Sequence, residues 1–141
     1  MKVRQILEAK GDELATIGQD NTIQQAIREL GHRRIGSLVV VDDRGGLVGI
    51  LSERDLVAQM AEYGMDLTTS RVRDLMTKDV TTCRPDDDIV DVTVKMTEGR
   101  FRHVPVEDQG RLIGLISIGD AVKARIDELE HEHAALRDYI S

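Results

Sequence analysis

From position 23 to 30, apolar side chains recur at Ile23, Ala26, Ile27 and Leu30. Steps of three and four residues place them on one face of a helix. Asn21 or Thr22 can cap its start, and Gly31 offers a stop. The pattern then changes. Leu38-Val39-Val40-Val41, a polar stretch Asp42-Asp43-Arg44-Gly45-Gly46, and Leu47 to Leu51 predict two strands joined by a turn. The apolar runs are continuous rather than alternating, which predicts strands covered on both faces. A short β-prone piece, Ala15-Thr16-Ile17, precedes the helix, and a second helix, Asp55 to Glu62, follows the strands.

The same order recurs further along. Val80-Thr81-Thr82 matches the first β-prone piece. Pro85-Asp86-Asp87-Asp88 opens a helix carrying Ile89, Val92 and Met96. Val104-Pro105-Val106, a turn at Glu107-Asp108-Gln109-Gly110, Leu112 to Ile116 and a helix from Asp120 complete the copy. Pro105 has no N–H for a ladder, so its strand is expected at an edge or to begin there. The anchors are recognisable residue by residue. Val3-Arg4-Gln5-Ile6-Leu7 returns as Val72-Arg73-Asp74-Leu75-Met76, and the run from Leu47 to Asp55 returns from Leu112 to Asp120. Two repeats follow, 1–64 and 71–128, with a link at 65–70 and a C-terminal helical extension at 129–141. Strand, helix, strand, strand, helix, twice over, is an α/β chain of the α+β kind. Units of roughly sixty residues are marginal alone, so the two are expected to pack together. In the tail, Val122, Ile126, Leu129, His133, Leu136 and Ile140 step by four and three, a heptad seam with one polar position. Packing of the tail against its own or a partner module fits the pattern equally, and either way a homodimer is favoured.

Composition narrows the classes. With 40% hydrophobic and 32% charged residues, the chain reads as a globular protein rather than a disordered one. No apolar run approaches the ~20 residues of a membrane span, and Met1 to Lys10 carries no signal-type apolar segment, so a cytoplasmic protein is expected. One cysteine, Cys83, permits no internal disulfide and reads as a small buried hydrophobe. His131 and His133, two apart on a helix, face different sides and suggest no metal site. A net charge of −7 and only three aromatic residues argue against nucleic acid as a partner. No phosphate-cradling Gly-rich loop and no nucleophile motif is present, so no catalytic residues are assigned and no enzymatic activity is expected.

Two recurring features carry chemistry. The first is Ser-x-x-Asp at each strand-to-helix junction, Ser52 to Asp55 and Ser117 to Asp120. Such pairs cap helices. A hydroxyl and a carboxylate so placed also suit the vicinal diol of a ribose, and both readings can hold together. The second is a basic cluster before each middle strand, His32-Arg33-Arg34 and Arg100-Phe101-Arg102-His103. Cations at a helix C-terminus meet the dipole favourably, which accounts for His32 and Arg33. Arg102 and His103 lie instead at the start of a strand, where they suit a phosphate.

These residues resemble a tandem cystathionine-β-synthase (CBS) domain pair, or Bateman module, over Val3 to about Ile126. The marks are Arg102-His103-Val104-Pro105-Val106, the two Gly-hydrophobic-hydrophobic-Ser-x-x-Asp stretches, and Thr82-x-x-Pro85. The resemblance implies two β-α-β-β-α repeats packed about a pseudo-two-fold axis, with clefts between them that bind adenosyl ligands such as AMP, ATP, NAD(H) or S-adenosylmethionine. It also implies a homodimer. By the same resemblance, Asp55 and Asp120, helped by Ser52 and Ser117, hold ribose hydroxyls. Thr16 and Thr82 line the adenine pocket, and Arg102 and His103, beside Pro105, meet phosphate. The first repeat has Gly36-Ser37-Leu38-Val39 where the second has Arg102-His103-Val104-Pro105. The cleft of Ser117, Asp120, Arg102 and His103 is therefore expected to be the better site, with adenine against Ile35, Gly36 and Ser37. The implied function is a non-catalytic sensor signalling to an unidentified effector protein. The alternative is a constitutive dimerisation scaffold without a physiological ligand.

Overall fold

A computed structural model of the chain describes residues 1–11, 14–64, 66–67 and 69–140. Met65 and Thr68 of the expected link, Asp12 and Glu13 of the first repeat, and Ser141 of the tail lie outside the described residues. In chain order the elements are α1 (Val3–Lys10), β1 (Thr16–Gly18), α2 (Ile23–Arg33), β2 (Ser37–Val41), β3 (Leu47–Ser52), α3 (Glu53–Tyr63), α4 (Val72–Leu75), α5 (Ile89–Gly99), β4 (His103–Asp108), β5 (Arg111–Ser117) and α6 (Ile118–Ile140). They form two compact units: Leu14–Thr81, and Met1–Glu13 together with Thr82–Ser141. No helix among the described residues is long and apolar enough to cross a membrane.

In the unit Leu14–Thr81, β1 pairs parallel with β2, and β2 antiparallel with β3, so that Ser37 faces Ser52 across the ladder. The continuous apolar run of β2 is buried throughout Leu38, Val39 and Val40, as expected of a strand covered on both faces. Thr22 caps α2: its hydroxyl accepts from the Gln25 N–H, and the Gln25 side chain accepts from the Thr22 N–H. The helix does not stop at Gly31. The N–H groups of Arg34 and Ile35 both turn back to the Leu30 carbonyl, so the left-handed residue must lie four past Leu30. Arg34 takes that place at φ 53°, and Arg100 does the same after α5 at φ 57°.

In the other unit, β4 and β5 pair antiparallel, His103 opposite Ser117. The strand expected at Val80-Thr81-Thr82 is absent. All that remains of it is a parallel bridge at Cys83, whose N–H donates to the Pro105 carbonyl (3.0 Å) and whose carbonyl accepts from the Glu107 N–H (2.9 Å). The ladder cannot extend back to Thr81, because in this register that step needs an N–H from Pro105, nor forward, because it would then need one from Pro85. Among the described residues, that edge of β4 is met at Cys83 alone.

The compact unit and the sequence repeat are different objects, because each unit takes its lead-in from the other repeat. Val3 and Ile6 of α1 pack into the core of Cys83, Val92, Val104 and Ile116. Val72 of α4 packs into the core of Ile23, Leu38, Leu51 and Leu56. The docking is the same in both: the N–H of Val3 donates to the Asp87 carbonyl, and that of Val72 to the Asn21 carbonyl.

Candidate functional site

The Ser-x-x-Asp pairs are built by the helix starts. At α3, Ser52 Oγ accepts from the Asp55 N–H (3.2 Å). Asp55 Oδ2 in turn accepts from the Ser52 N–H (2.9 Å) and from Ser52 Oγ (3.0 Å). At α6, the Ser117 N–H donates to Asp120 Oδ2 (2.8 Å) and the Asp120 N–H to Ser117 Oγ (3.1 Å). The capping reading is thus met in both copies. It also fixes each carboxylate, half-buried, with Oδ1 turned away from the cap. Among the described residues, Asp55 Oδ1 is met by the Thr77 hydroxyl in a long contact of 3.4 Å.

Asp120 differs, because Lys10 reaches it. The ammonium donates to Asp120 Oδ2 at 2.7 Å and to the Leu115 carbonyl at 2.8 Å. Burial alone would push the Asp120 carboxyl up. Lys10 and the Ser117 N–H overcome this and hold it below the usual carboxylate value. His103, half-buried beside them, is held below its ordinary value first by burial. The positive charges of Lys10 and Arg102 act in the same direction, against the pull of Asp120. Cations and one anchored carboxylate are thereby gathered at one place in this unit.

The expected residues therefore fall into two groups. His103, Ser117 and Asp120 lie together with Lys10, and Arg102, exposed, precedes His103 with its carbonyl accepting from the Ile118 N–H at 2.8 Å. Pro105 is buried in β4, and Thr82 lies next to the Cys83 bridge. Ser52 and Asp55 lie with Gly36, whose carbonyl accepts from the Glu53 N–H at 2.9 Å, and with Ser37, opposite Ser52. Ser37 is 3% exposed and its hydroxyl has no hydrogen-bond partner among the described residues. Ile35, half-buried, packs against that unit's core. Thr16, exposed at the start of β1, lines a cavity of about 430 Å³ with Asn21, Gln25, Arg28 and Arg33, and neither Ser52 nor Asp55 lines it.

Lys10 and Thr77 were not anticipated from the sequence. Both follow a lead-in, and Lys10 stands 110 residues from its carboxylate, beyond the reach of any local pattern. Cys83 is buried, and burial pushes its thiol up to about 12, which leaves it unreactive. Among the described residues no group of three or more His, Cys, Asp or Glu is placed to hold a metal ion.

The Gly-hydrophobic-hydrophobic-Ser stretches also acquire a physical reason. A Cβ at Gly49 would lie 2.8 Å from the Thr77 carbonyl oxygen and 2.7 Å from Met76 Sδ. One at Gly114 would lie 2.5 Å from a Leu7 methyl. In each unit the borrowed lead-in crosses the strand at its glycine.

Comparison with known proteins agrees with this arrangement. The chain is 44% identical to a CBS-domain containing protein from Agrobacterium tumefaciens, with a TM-score of 0.84 over 88% of this chain and 92% of that one. It is 33% identical over 125 residues to the mitochondrial CBS domain-containing protein CBSX3 of Arabidopsis thaliana. That match takes in 86% of this chain, which spans 61% of the relative's length. A second solved structure, 26% identical with a TM-score of 0.79 over 91% of this chain and 98% of its own, is a CBS domain pair in complex with 5′-methylthioadenosine and S-adenosyl-L-methionine. The CBS domain model itself matches twice, at residues 3–62 and 72–127, so the repeat seen in the sequence, the paired caps and the shared fold have one explanation: the chain belongs to the CBS domain family.

Proposed function

We propose that this chain is a non-catalytic regulatory module that binds an adenosyl ligand, AMP, ATP or NAD(H), and passes the resulting change of conformation to an effector protein. The observation that carries the reading is the group around Asp120. A half-buried carboxylate anchored by Ser117 can accept both hydroxyls of a ribose. Lys10 on Asp120, and Arg102 next to His103, supply the positive charge a phosphate requires, and the neutral His103 imidazole can add an N–H donor. Ser52 and Asp55 repeat the carboxylate half of this arrangement. The unpartnered hydroxyl of Ser37 supports a polar occupant there, since a buried hydroxyl without a partner costs about 1–3 kcal/mol. The related pair bound to two adenosyl compounds supports the ligand class.

Thermal unfolding of the full chain with AMP, ATP, NAD, NADH, S-adenosylmethionine and GMP tests the reading. A ligand at 100 times its dissociation constant adds ~2.7 kcal/mol, several degrees at this size. Stabilisation by adenosyl ligands and not by GMP is expected, and Asp120→Ala should reduce it more than Asp55→Ala. One observation favours a second reading. Asp120 already has a cation from its own chain, as a closed site in a constitutive scaffold would. If no nucleotide moves the melting temperature, the scaffold replaces the sensor.

A further inference from the structure

The helix α6 runs unbroken for 23 residues, yet only its first half is covered. Ala121 and Ala124 are buried and Glu128 is partly covered. From Leu129 to Ile140 every residue is exposed. Twelve residues of helix standing alone in water are marginal. This segment also exposes Leu129, Leu136 and Ile140 by 49%, 61% and 77%, in line with Val122 and Ile126 at 52% and 49%. The seam from 122 to 140 is ~27 Å long at 1.5 Å per residue.

We propose that this seam is the docking surface for a second copy of the chain, and that the two α6 helices pair in parallel as a short two-stranded coiled coil. The seam identities fit that state. Ile126 and Ile140 occupy a positions and Val122, Leu129 and Leu136 d positions, and β-branched a with leucine-rich d selects two parallel strands. His133 is a polar a position, which fixes register at some expense of stability.

The flanking charges choose the direction. In a parallel pair each g residue meets the e residue five further on in the other helix. Arg125 then meets the partner's Glu130, and Glu132 meets the partner's Arg137, both pairs attractive. Arg125 already lies along the helix surface, 2.8 Å from Glu128. Antiparallel overlap of the same seam brings Glu130 to the partner's Glu130, Glu132 to the partner's Glu132, and Lys123 to the partner's Arg137. All three are like-charge contacts. The inference does not depend on any nucleotide.

The test uses the full chain without ligand, in sedimentation velocity across a concentration series and in air oxidation of Leu136→Cys. Parallel, in-register pairing puts residue 136 against itself, so Leu136→Cys should form a disulfide-linked dimer, while the native Cys83 is buried and stays out of the reaction. Glu132→Arg and Arg137→Glu each replace attraction by repulsion at two symmetric contacts and should each weaken self-association about tenfold. An equimolar mixture of the two restores attraction at both and should recover it. Residue 132 is exposed on the uncovered half of the helix, so melting of the compact units should not change. A monomer at every concentration overturns the proposal. So does a dimer in which Leu136→Cys fails to cross-link, or in which the charge variants bind themselves as well as each other.

Discussion

The Lys10–Asp120 pair makes a prediction with two opposed arms. The pair is neither a surface contact nor fully buried: the side chains are 34% and 21% exposed, and the ammonium also holds the Leu115 carbonyl. Exposed pairs contribute up to about 1 kcal/mol, and hydrogen bonds to charged groups about 1.5–3, so about 1–2 kcal/mol is the appropriate scale. Lys10→Met keeps the aliphatic stem and removes the charge. The variant should melt about 3–8 °C below the wild type. The loss should also depend on pH. Lys10 holds Asp120 below its ordinary value of 3.8, so the unfolded chain binds that proton more readily. The contribution is then present above about pH 4 and drains away as pH falls through the lowered value. In Lys10→Met this acid limb should flatten.

Ligand binding should move the other way. A ribose that takes Asp120 must displace the ammonium, and about 1–2 kcal/mol of competition is a factor of about 5–30 in affinity. Adenosine, which offers Lys10 nothing in exchange, should therefore bind Lys10→Met about tenfold more tightly than it binds the wild type. AMP offers a phosphate to the displaced lysine and should gain nothing or lose affinity. Calorimetric titration of both ligands into both proteins measures this. Unchanged or weaker adenosine binding by Lys10→Met would refute the reasoning, since Lys10 would then not compete for the carboxylate.

Two further predictions concern the same elements. His103 is held below its ordinary value of 6.5 chiefly by burial, so the unfolded state binds its proton more readily. Its contribution is complete above pH 6.5 and lost on acidification below it, and His103→Gln should flatten the stability curve below about pH 6.5 in denaturant titrations. At the crossing glycines, Gly49→Ala meets a backbone oxygen at 2.8 Å, whereas Gly114→Ala meets only the movable end of Leu7. Gly49→Ala should cost about 2–3 kcal/mol and Gly114→Ala about 1 or less, and equal losses in urea unfolding would contradict the contacts.

What could be read from the sequence was what local chemistry dictates. The period of Ile23, Ala26 and Leu30 yields α2, the unbroken Leu38–Val41 run yields a buried strand, and Ser-x-x-Asp yields two helix caps, because each depends on residues within a few positions. Failure came where a distant or competing partner decides. Val80-Thr81-Thr82 is as β-prone as Ala15-Thr16-Ile17, but the strand it would pair with offers Pro105, with no N–H, at the next rung, and the ladder ends at one bridge. Gly31 looks like a helix stop, yet the closure onto Leu30 sets the end at Arg34. At the site, Asp120 and Ser117 were legible, whereas Lys10 reaches them across 110 residues through packing of α1.

The exchange of lead-ins has its own consequence for how the chain can be cut. The sequence repeat suggests 1–64 as a unit, while the packing makes Leu14–Thr81 the continuous one. Cutting at 64 removes Leu67 and Val72, 9% and 0% exposed, from the core of Ile23, Leu38 and Leu51. A fully buried valine or leucine contributes about 1.5–3 kcal/mol. Among the described residues, the same cut removes five backbone–backbone hydrogen bonds. The Ile23 N–H loses the Ser70 carbonyl; the Asn21 and Gln19 carbonyls lose the N–H groups of Val72 and Arg73; and both bonds between Ile50 and Thr77 are lost. It also leaves α1 attached with its apolar face, Val3 and Ile6, separated from the Val92 and Val104 core it fills. The sum far exceeds the few kcal/mol that separate a small folded unit from its unfolded chain. Fragment 14–81 should therefore show a cooperative melt and protected amides at Leu38 to Val40, while fragment 1–64 should show neither. If 1–64 melts as cooperatively as 14–81, the lead-in is an accessory, and residues 72–77 are not part of the unit that folds.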